Sequence, residues 1–254
     1  MRGESVRPSS ARAALDGRAF VSGTRMLYVG PLAATTRHAH HATQIVFAPH
    51  GLFFEDGDDG GIHVRAAVIP PRVPHGHGAC AHAAVLFVDG DDRLSRELSR
   101  NAGARCETWK RDALDVSLPR DLTAEQARAL IASLLSAVEP RQPPGAQHPA
   151  ARRMCAYLDG EGRVDLATLS RQAGLSPRQM RHTFVRDVGL PMRAYQRWRR
   201  LRRAFAAVEE GASLSAAAAA AGFADGAHLS RVFRQQFGIT PTQALGSITI
   251  RSLD

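Results

Sequence analysis

The stretches GLSPRQMRHTFVRDVGLP, residues 174–191, and GFADGAHLSRVFRQQFGITP, residues 222–241, decide the fold. Setting Gly174 on Gly222 brings Leu175 onto Phe223 and, upstream, Leu166 onto Leu214. Past the turn the second copy has one extra residue; with that shift Met180 meets Leu229, Phe184 meets Phe233 and Gly189 meets Gly238. An apolar skeleton that recurs together with its glycines marks a duplicated supersecondary unit. The unit is a helix-turn-helix, and Asp165 to Leu245 contains it twice.

Local chemistry sets the helix boundaries. Asp165 is the predicted N-cap of the first helix, with Leu166, Leu169 and Ala173 as its buried face, and Gly174 supplies the positive-φ turn. Ser176 caps the next helix, Pro177 suits its first position and Gln179 completes a capping box. Met180 and Phe184 then face inward at i and i+4, which leaves Arg178, Gln179, Arg181, His182 and Arg186 outside, where a recognition helix needs donors. Gly189 ends that helix and Pro191 opens a long one, with Tyr195, Trp198, Leu201, Phe205 and Val208 as its apolar stripe. Arg193, Arg197, Arg199, Arg200, Arg202 and Arg203 are distributed around it. In the second copy Ser213 caps an alanine run, Ala216 to Ala221, and Asp225 caps the helix that follows. Leu229 and Phe233 point inward there, leaving Gly226, Ala227, His228, Arg231, Arg234 and Gln235 outside. Thr240 with Gln243 boxes a last short helix.

Charge is unevenly placed along the 254 residues, whose formal net charge is +9. From Ala151 onward 16 cationic side chains face 8 acidic ones, whereas the first 150 residues hold 17 against 16. A basic C-terminal domain joined to a near-neutral one is the electrostatic footprint of a nucleic-acid binder with a second role attached. Nearly every cation is arginine, whose fork suits phosphate and guanine edges. Cys80, Cys106 and Cys155 are too scattered for a disulfide framework or a thiolate metal site. No signal-peptide core and no run of about 18 apolar residues is present, which predicts a cytoplasmic chain without membrane association.

Residues 1–19 read as a flexible tail. From Phe20 to Val88, short apolar runs such as Met26-Leu27-Tyr28-Val29, Gln44-Ile45-Val46-Phe47, Gly51-Leu52-Phe53-Phe54, His63 to Ile69 and Ala84 to Val88 alternate with Gly, Asp and Pro clusters, which predicts an antiparallel barrel. The Asp56-Gly57-Asp58-Asp59-Gly60-Gly61 cluster lacks the distal Glu of a calcium loop and reads as a hairpin turn. Arg93 to Arg100 and Thr123 to Val138 read as helices. The second has a Thr123/Gln126 capping box and an apolar stripe of Leu130, Ile131, Leu134, Leu135 and Val138 that suits either the barrel or a second subunit. Glu139 to Gly145 stops it, placing a linker at 140–148 between a domain of residues 20–139 and one of residues 149–254.

Eight of the eleven histidines lie between residues 38 and 82. His38 and His40 alternate on one strand face, Gln44 follows, and His75 sits downstream; together they form a candidate site for a divalent metal or a ligand.

Two resemblances follow from these residues. Gly174-Leu175-Ser176-Pro177-Arg178, Gly222-Phe223 and the run Phe233 to Pro241 are similar to the AraC/XylS family of bacterial transcription regulators, over residues 151–246. His38-x-His40 with Gln44 and Gly51, and Pro70-Pro71-Arg72-Val73-Pro74-His75, resemble the two cupin motifs, with Gln44 in place of a ligating Glu and Arg72 in place of a Gly. The implied architecture is an N-terminal cupin-like β-barrel with helices, followed by an all-α domain of two helix-turn-helix motifs on a long helix. The implied function is that of a sequence-specific transcription regulator, not an enzyme, whose barrel senses a small-molecule effector. By family position Arg178, Arg181 and His182 meet bases in the first motif, beside Ser176 and Gln179, and Gly226, Ala227 and Arg231 do so in the second, beside His228. Arg186, Arg197 and Arg234 are assigned to phosphate. Gly226 and Ala227 offer only backbone approach or a methyl, so the first motif together with Arg231 is predicted to carry most of the direct readout. Double-stranded DNA, a second copy of the chain (the helix at 123–138 being favoured for that contact) and RNA polymerase are the expected partners. No cofactor is required, with a divalent metal in the barrel as an option. The rival reading is a metal-dependent cupin enzyme, of dioxygenase or isomerase type, fused to a DNA-binding domain.

Overall fold

The computed structural model describes residues 17–56, 61–89, 92, 94–96, 107–108, 118–119, 121–138, 148–160, 165–245 and 248–253. Most of the predicted tail, the turn after Asp56, most of the helix at 93–100 and all of the linker but His148 lie outside these residues, as do Cys106 and Lys110; residues 94–96 are helical. The described strands are Gly17–Ser22 (β1), Arg25–Leu32 (β2), Thr35–His38 (β3), Thr43–Asp56 (β4), Gly61–Ile69 (β5), His75–His77 (β6), Cys80–Val88 (β7) and Glu107–Thr108 (β8). Then come the helices Ala124–Ala137 (α1), Pro149–Asp159 (α2), Leu166–Ala173 (α3), Pro177–Val188 (α4), Met192–Glu209 (α5), Leu214–Ala220 (α6), Gly226–Phe237 (α7) and Pro241–Leu245 (α8), and a last strand, Ile248–Ser252 (β9).

The strands form one sheet ordered β3-β6-β4-β7-β2-β1-β9, with β5 on β4 and β8 on β5. It is antiparallel except where β9 joins β1 in parallel. The predicted barrel is not closed. Its two apolar runs at 44–47 and 51–54 are one 14-residue strand, β4, whose register shifts between Phe47 and Leu52, where Gly51 takes φ 87°. One edge of β4 carries β5, while the other carries β7 along Thr43 to Phe47 and β6 along Phe54 to Asp56. A bent strand with three partners branches the sheet, and β3 and β9, at the ends of the path, do not pair with each other.

One face of the sheet, with Phe20, Leu27, Ile45 and Leu86, packs against Leu130, Ile131 and Leu134 of α1. The capping box of Thr123 and Gln126 forms as predicted. The α1 stripe therefore belongs to the chain's own core, and the subunit contact favoured for it is corrected: burying those side chains at home removes them from any partner.

The C-terminal helices make two further cores. Met154, Leu169, Met180, Phe184 and Tyr195 fill the first. Trp198, Leu201, Ala217, Ala218, Leu229 and Phe233 fill the second, which also takes in Ala42 of the sheet domain. Helix α5, 18 residues long, spans about 27 Å at ~1.5 Å per residue and so serves both. Asp165, Ser176, Ser213 and Asp225 each accept from a backbone N–H as N-caps. Gly174, Gly189 and Gly238 end their helices at φ 65°, 79° and 69°, values that favour glycine. One predicted core residue is corrected: Leu166 is 48% exposed and lies outside the core that takes in Leu169 and Ala173. After α8 the chain returns to the sheet, Gly17 to Val21 pairing with Ile248 to Ser252, and Leu253 is buried in the sheet core.

Candidate nucleic-acid interface and sensor cavity

Helix α4 presents the predicted reading face. Arg178, Gln179, Arg181, His182 and Arg186 are all exposed, and Met180 and Phe184 are wholly buried beneath them. Arg178, Arg181 and His182 make no hydrogen bond or ion pair among the described residues, so their donors are free for an incoming ligand. Ser176 and Gln179 are occupied with each other: the Gln179 amide oxygen accepts from the Ser176 backbone N–H at 3.0 Å and from its hydroxyl at 2.7 Å. These two serve the helix end first. Arg186 Nε donates to Asp187 at 2.6 Å, and Asp187 in turn accepts from the backbone of His148 at 2.6 Å. That carboxylate raises the Arg186 pKa by hydrogen bond and charge and orients its guanidinium.

Helix α7 is different. Ala227, Arg231 and Arg234 are exposed, but Gly226 and His228 are half-buried, the His228 ring standing edge-on to Phe223 at 5.4 Å. Beside it Arg193, Arg197 and Arg200 of α5 and Arg231 of α7 line a cleft of about 520 Å³; the sequence assigns Arg197 to phosphate and Arg231 to bases, but not the cleft that joins them to Arg193 and Arg200. None of these four makes a hydrogen bond or ion pair among the described residues. A concave surface with four unpaired guanidinium groups suits a polyanion backbone. The spacing of 193, 197 and 200 along one helix face was the available signal.

The remaining arginines of α5 face inward. Buried Asp89, just after β7, accepts from Trp198 Nε1 at 2.5 Å and Arg202 Nη1 at 2.5 Å, with Arg199 Nη1 3.6 Å away. Arg202 also donates to the Gly23 carbonyl. Arg199 Nε pairs with Asp159 at 2.8 Å, and Tyr195 donates to the same carboxylate at 2.9 Å. Two anions thus lock α5 to the sheet and to α2.

The end of α7 also touches the sheet. The His41 backbone N–H donates to the Gln236 side chain at 3.1 Å, the Thr36 hydroxyl to the Gly238 carbonyl at 3.5 Å, and the Phe87 and Phe237 rings meet edge-on at 5.5 Å. Between sheet and helices lies a cavity of about 120 Å³ whose walls include Tyr28, Val85 and Phe87 on one side and Phe205, Phe233 and Phe237 on the other. Its polar lining includes His38, Gln44 and His77.

The histidine cluster sits at that polar wall. His40 and His75 are fully buried, His77 nearly so, and His38 is half-buried; His50 and His63 are exposed. Ring centroids of His38 and His75 are 4.4 Å apart and those of His40 and His75 4.7 Å. Burial pushes the His40 pKa down to about 3 and that of His75 well below its ordinary value, each helped by neighbouring imidazoles. Burial likewise lowers His38, and burial with Arg197 and Arg72 lowers His41 to about 4. Neutral imidazoles are the form that ligates metal. One ring nitrogen from each of His38, His40 and His75 lies within 4.8 Å of the other two, and the Gln44 oxygen faces His40 Nε2 and His75 Nε2. The donor set predicted from spacing is therefore assembled, and three imidazoles with an amide oxygen fit a divalent transition ion.

Residues 169–246 match a family model described as a helix-turn-helix domain. No curated protein sequence matches the chain. ToxT from Vibrio cholerae O395 aligns with a TM-score of 0.57 at 11% identity, over 89% of this chain and 98% of its own. Wild-type ToxT from Vibrio cholerae strain SCE256, solved with unsaturated fatty acid bound, aligns with a TM-score of 0.56 at 11% identity, over 90% and 97%. These likenesses are of fold, and they extend over both domains. A probable AraC family transcriptional regulator from Rhodopseudomonas palustris CGA009 covers 39% of this chain and 96% of its own at 27% identity, with a TM-score of 0.35.

Proposed function

We propose that this chain, with its AraC-type double helix-turn-helix domain, is a sequence-specific DNA-binding transcription regulator governed by a small apolar effector held between its domains. The observation that carries the first part is the tandem itself. Helices α4 and α7 each expose unpaired arginines at the ends of one long helix, a geometry that suits successive major grooves about 34 Å apart. Arg178, Arg181 and His182 read base edges, and Arg231 does so from the second motif. Arg186 and Arg234, with Arg193, Arg197 and Arg200 of the α5 side of the cleft, hold phosphate.

The cavity supports the effector. Its volume is near the ~150 Å³ at which an engineered apolar cavity binds benzene, so a one-ring apolar compound with a single polar group fits it unopened. The unsaturated fatty acid carried by ToxT is a precedent for an apolar ligand in this fold. Because Phe233 and Phe237 of α7 form part of the wall, occupancy acts on the second motif directly. A homodimer, if formed, uses a surface other than the α1 stripe.

Gel-shift titration over a range of salt tests the DNA reading: log affinity falls steeply with log salt while sequence preference persists. Binding indifferent to sequence overturns it. A one-ring apolar effector raises the melting temperature of the full chain and shifts its affinity for a selected site.

A further inference from the structure

The turn between β5 and β6 has a backbone that its sequence does not favour. Val73 N–H donates to the Pro70 carbonyl at 3.4 Å, closing a turn over Pro70-Pro71-Arg72-Val73. Proline in second place suits a type II turn, whose third residue needs positive φ and is usually glycine or asparagine. Arginine stands there instead at φ 68°, the one non-glycine residue with positive φ among those described. The left-handed conformation brings its Cβ too close to the following carbonyl oxygen, so the side chain is held at a cost. The turn is nevertheless fixed, because Val73 is buried in the sheet core and Arg72 N–H donates to the His40 carbonyl at 2.8 Å. Strain retained in a rigid turn points to a task for the side chain that causes it.

The Arg72 guanidinium is exposed and makes no hydrogen bond or ion pair among the described residues. Two hydrogen bonds connect this turn to the α5 cleft. The first joins Arg72 to His40; in the second the next residue, His41, donates its backbone N–H to Gln236 of α7 at 3.1 Å. Gln236 follows Gln235, which lines the cleft together with Arg193, Arg197 and Arg200. The His41 ring senses both sides of this junction: burial first, then the charges of Arg197 and Arg72, hold its pKa down to about 4. One cation from each domain thus acts on the same imidazole. No acidic side chain lines the cleft, and none pairs with Arg72 or Arg197 among the described residues. Like charges gathered without a counter-ion repel, and a polyanion relieves that repulsion.

The length of the row selects the polyanion. The three α5 arginines cover about 10 Å of helix at ~1.5 Å per residue, enough for several phosphates of a strand that carries one charge per ~3.4 Å of axis. We propose that Arg72 is a DNA phosphate contact supplied by the sheet domain, extending the arginine row of α5 across the junction between the domains. The proposal rests on the DNA-binding reading and adds to it that the sheet domain itself touches the duplex.

Fluorescence anisotropy with the full chain and labelled duplexes, one bearing a selected site and one of random sequence, tests this over a series of salt concentrations. In Arg72→Gly the turn receives a residue that accepts its φ, so the protein stays folded and its melting temperature is kept or rises by about 2–4 °C. Its affinity falls roughly 3- to 10-fold for both duplexes alike, and the log–log salt slope lessens by about 0.9. Arg72→Lys, which keeps a point charge for phosphate, stays within about twofold of wild type. Arg65→Ala removes the same charge from an exposed position on β5 and leaves the slope unchanged. If wild type binds with a steep slope and Arg72→Gly matches it, the contact is overturned and the DNA reading stands. Equal losses in Arg72→Gly and Arg65→Ala also overturn the contact, since net charge then accounts for both. A loss confined to the selected site overturns the assignment to phosphate. Wild type that binds neither duplex overturns the DNA reading and the contact with it.

Discussion

The first motif, α3 with α4, is packed on α2 and the start of α5, and its reading face carries three donors with no partner among the described residues. The second, α6 with α7, is packed with alanines, is joined to the sheet at Gln236 and Gly238, and supplies two phenylalanines to the wall of the interdomain cavity. One pattern of glycines and apolar residues thus serves two tasks. Where the outer surface is donor-rich and free, the motif is equipped to read; where the outer surface is small and the rear is bonded to another domain, it is equipped to be moved. The two copies share one fold and differ in what surrounds them: the first has unpartnered donors on its outer face, and the second is bonded to the sheet domain.

The largest effect is expected where the second half is fastened. Asp89→Ala removes the acceptor shared by Trp198 and Arg202, leaving a buried indole N–H without its acceptor and a half-buried guanidinium without its counter-ion. Breaking one partner of a buried ion pair costs about 3–5 kcal/mol, so urea unfolding should shift by that amount. Hydrogen exchange should show α7 and β9 losing protection while α4 keeps it. Equal loss in both motifs would show that the second is no more tied to the sheet than the first.

Next is the reading asymmetry. Arg181→Ala should relax specificity at one base pair by about 1–3 kcal/mol, the value of a bidentate contact, when affinities are compared over single-base variants of a selected site. Arg200→Ala, in the α5 cleft, should weaken all sequences alike and lessen the salt slope by about one. Arg186→Ala should act in the same uniform way but less, because Asp187 already engages its guanidinium. If Arg231→Ala relaxes specificity more than Arg181→Ala, the roles of the two motifs are reversed.

Acid should separate the halves in another way. His40 and His41 titrate near 3 and 4 in the folded chain because they are buried, and near 6.5 when unfolded. Below pH 6.5 the unfolded state therefore takes up protons that the folded state refuses. Stability is complete above that pH and falls through the window down to the folded values, by about 1.4 kcal/mol per pH unit for each histidine while that difference persists. In metal-free protein the end of α7, which His41 holds by its backbone, should lose exchange protection at higher pH than α4 does.

The features legible in the sequence are those whose physics acts within a few residues. Caps at Asp165, Ser176 and Asp225, and the left-handed glycines, are local bargains between a side chain or a φ angle and the nearest backbone donors. The His38, His40 and His75 set was legible from motif spacing, although the strand alternation expected for His38 and His40 does not hold: β3 ends at His38, which pairs with His75, and His40 lies just beyond the strand. Asp89 was not, because its partner Arg202 lies 113 residues away and nothing near Asp89 distinguishes it from a turn aspartate. The same holds for β9, a five-residue run at 248–252 whose β-branched residues suit a strand but whose partner, β1, lies more than 200 residues away in the chain. Closure of the sheet failed as a prediction for a related reason: alternation identifies strands, but the branching at β4 is decided by which edges find partners.

The smallest expected effect returns to the equivalence of Leu166 and Leu214, which occupy the same place in the two motifs. Leu166 is 48% exposed, so Leu166→Ala removes little surface from shelter and should lower stability by less than about 1 kcal/mol. Leu214 is half-buried against the second core and borders a small void with Leu201, Phe205 and Phe233. Its truncation enlarges that void, adding a cavity term to the lost burial, and should cost about 1–2 kcal/mol. The difference, read from paired urea titrations, measures how far the alanine-built second core depends on its rim. The helix that is thin in its own side chains must borrow packing from α5 and α7, and a motif that borrows its packing is the one a neighbouring domain can most readily shift.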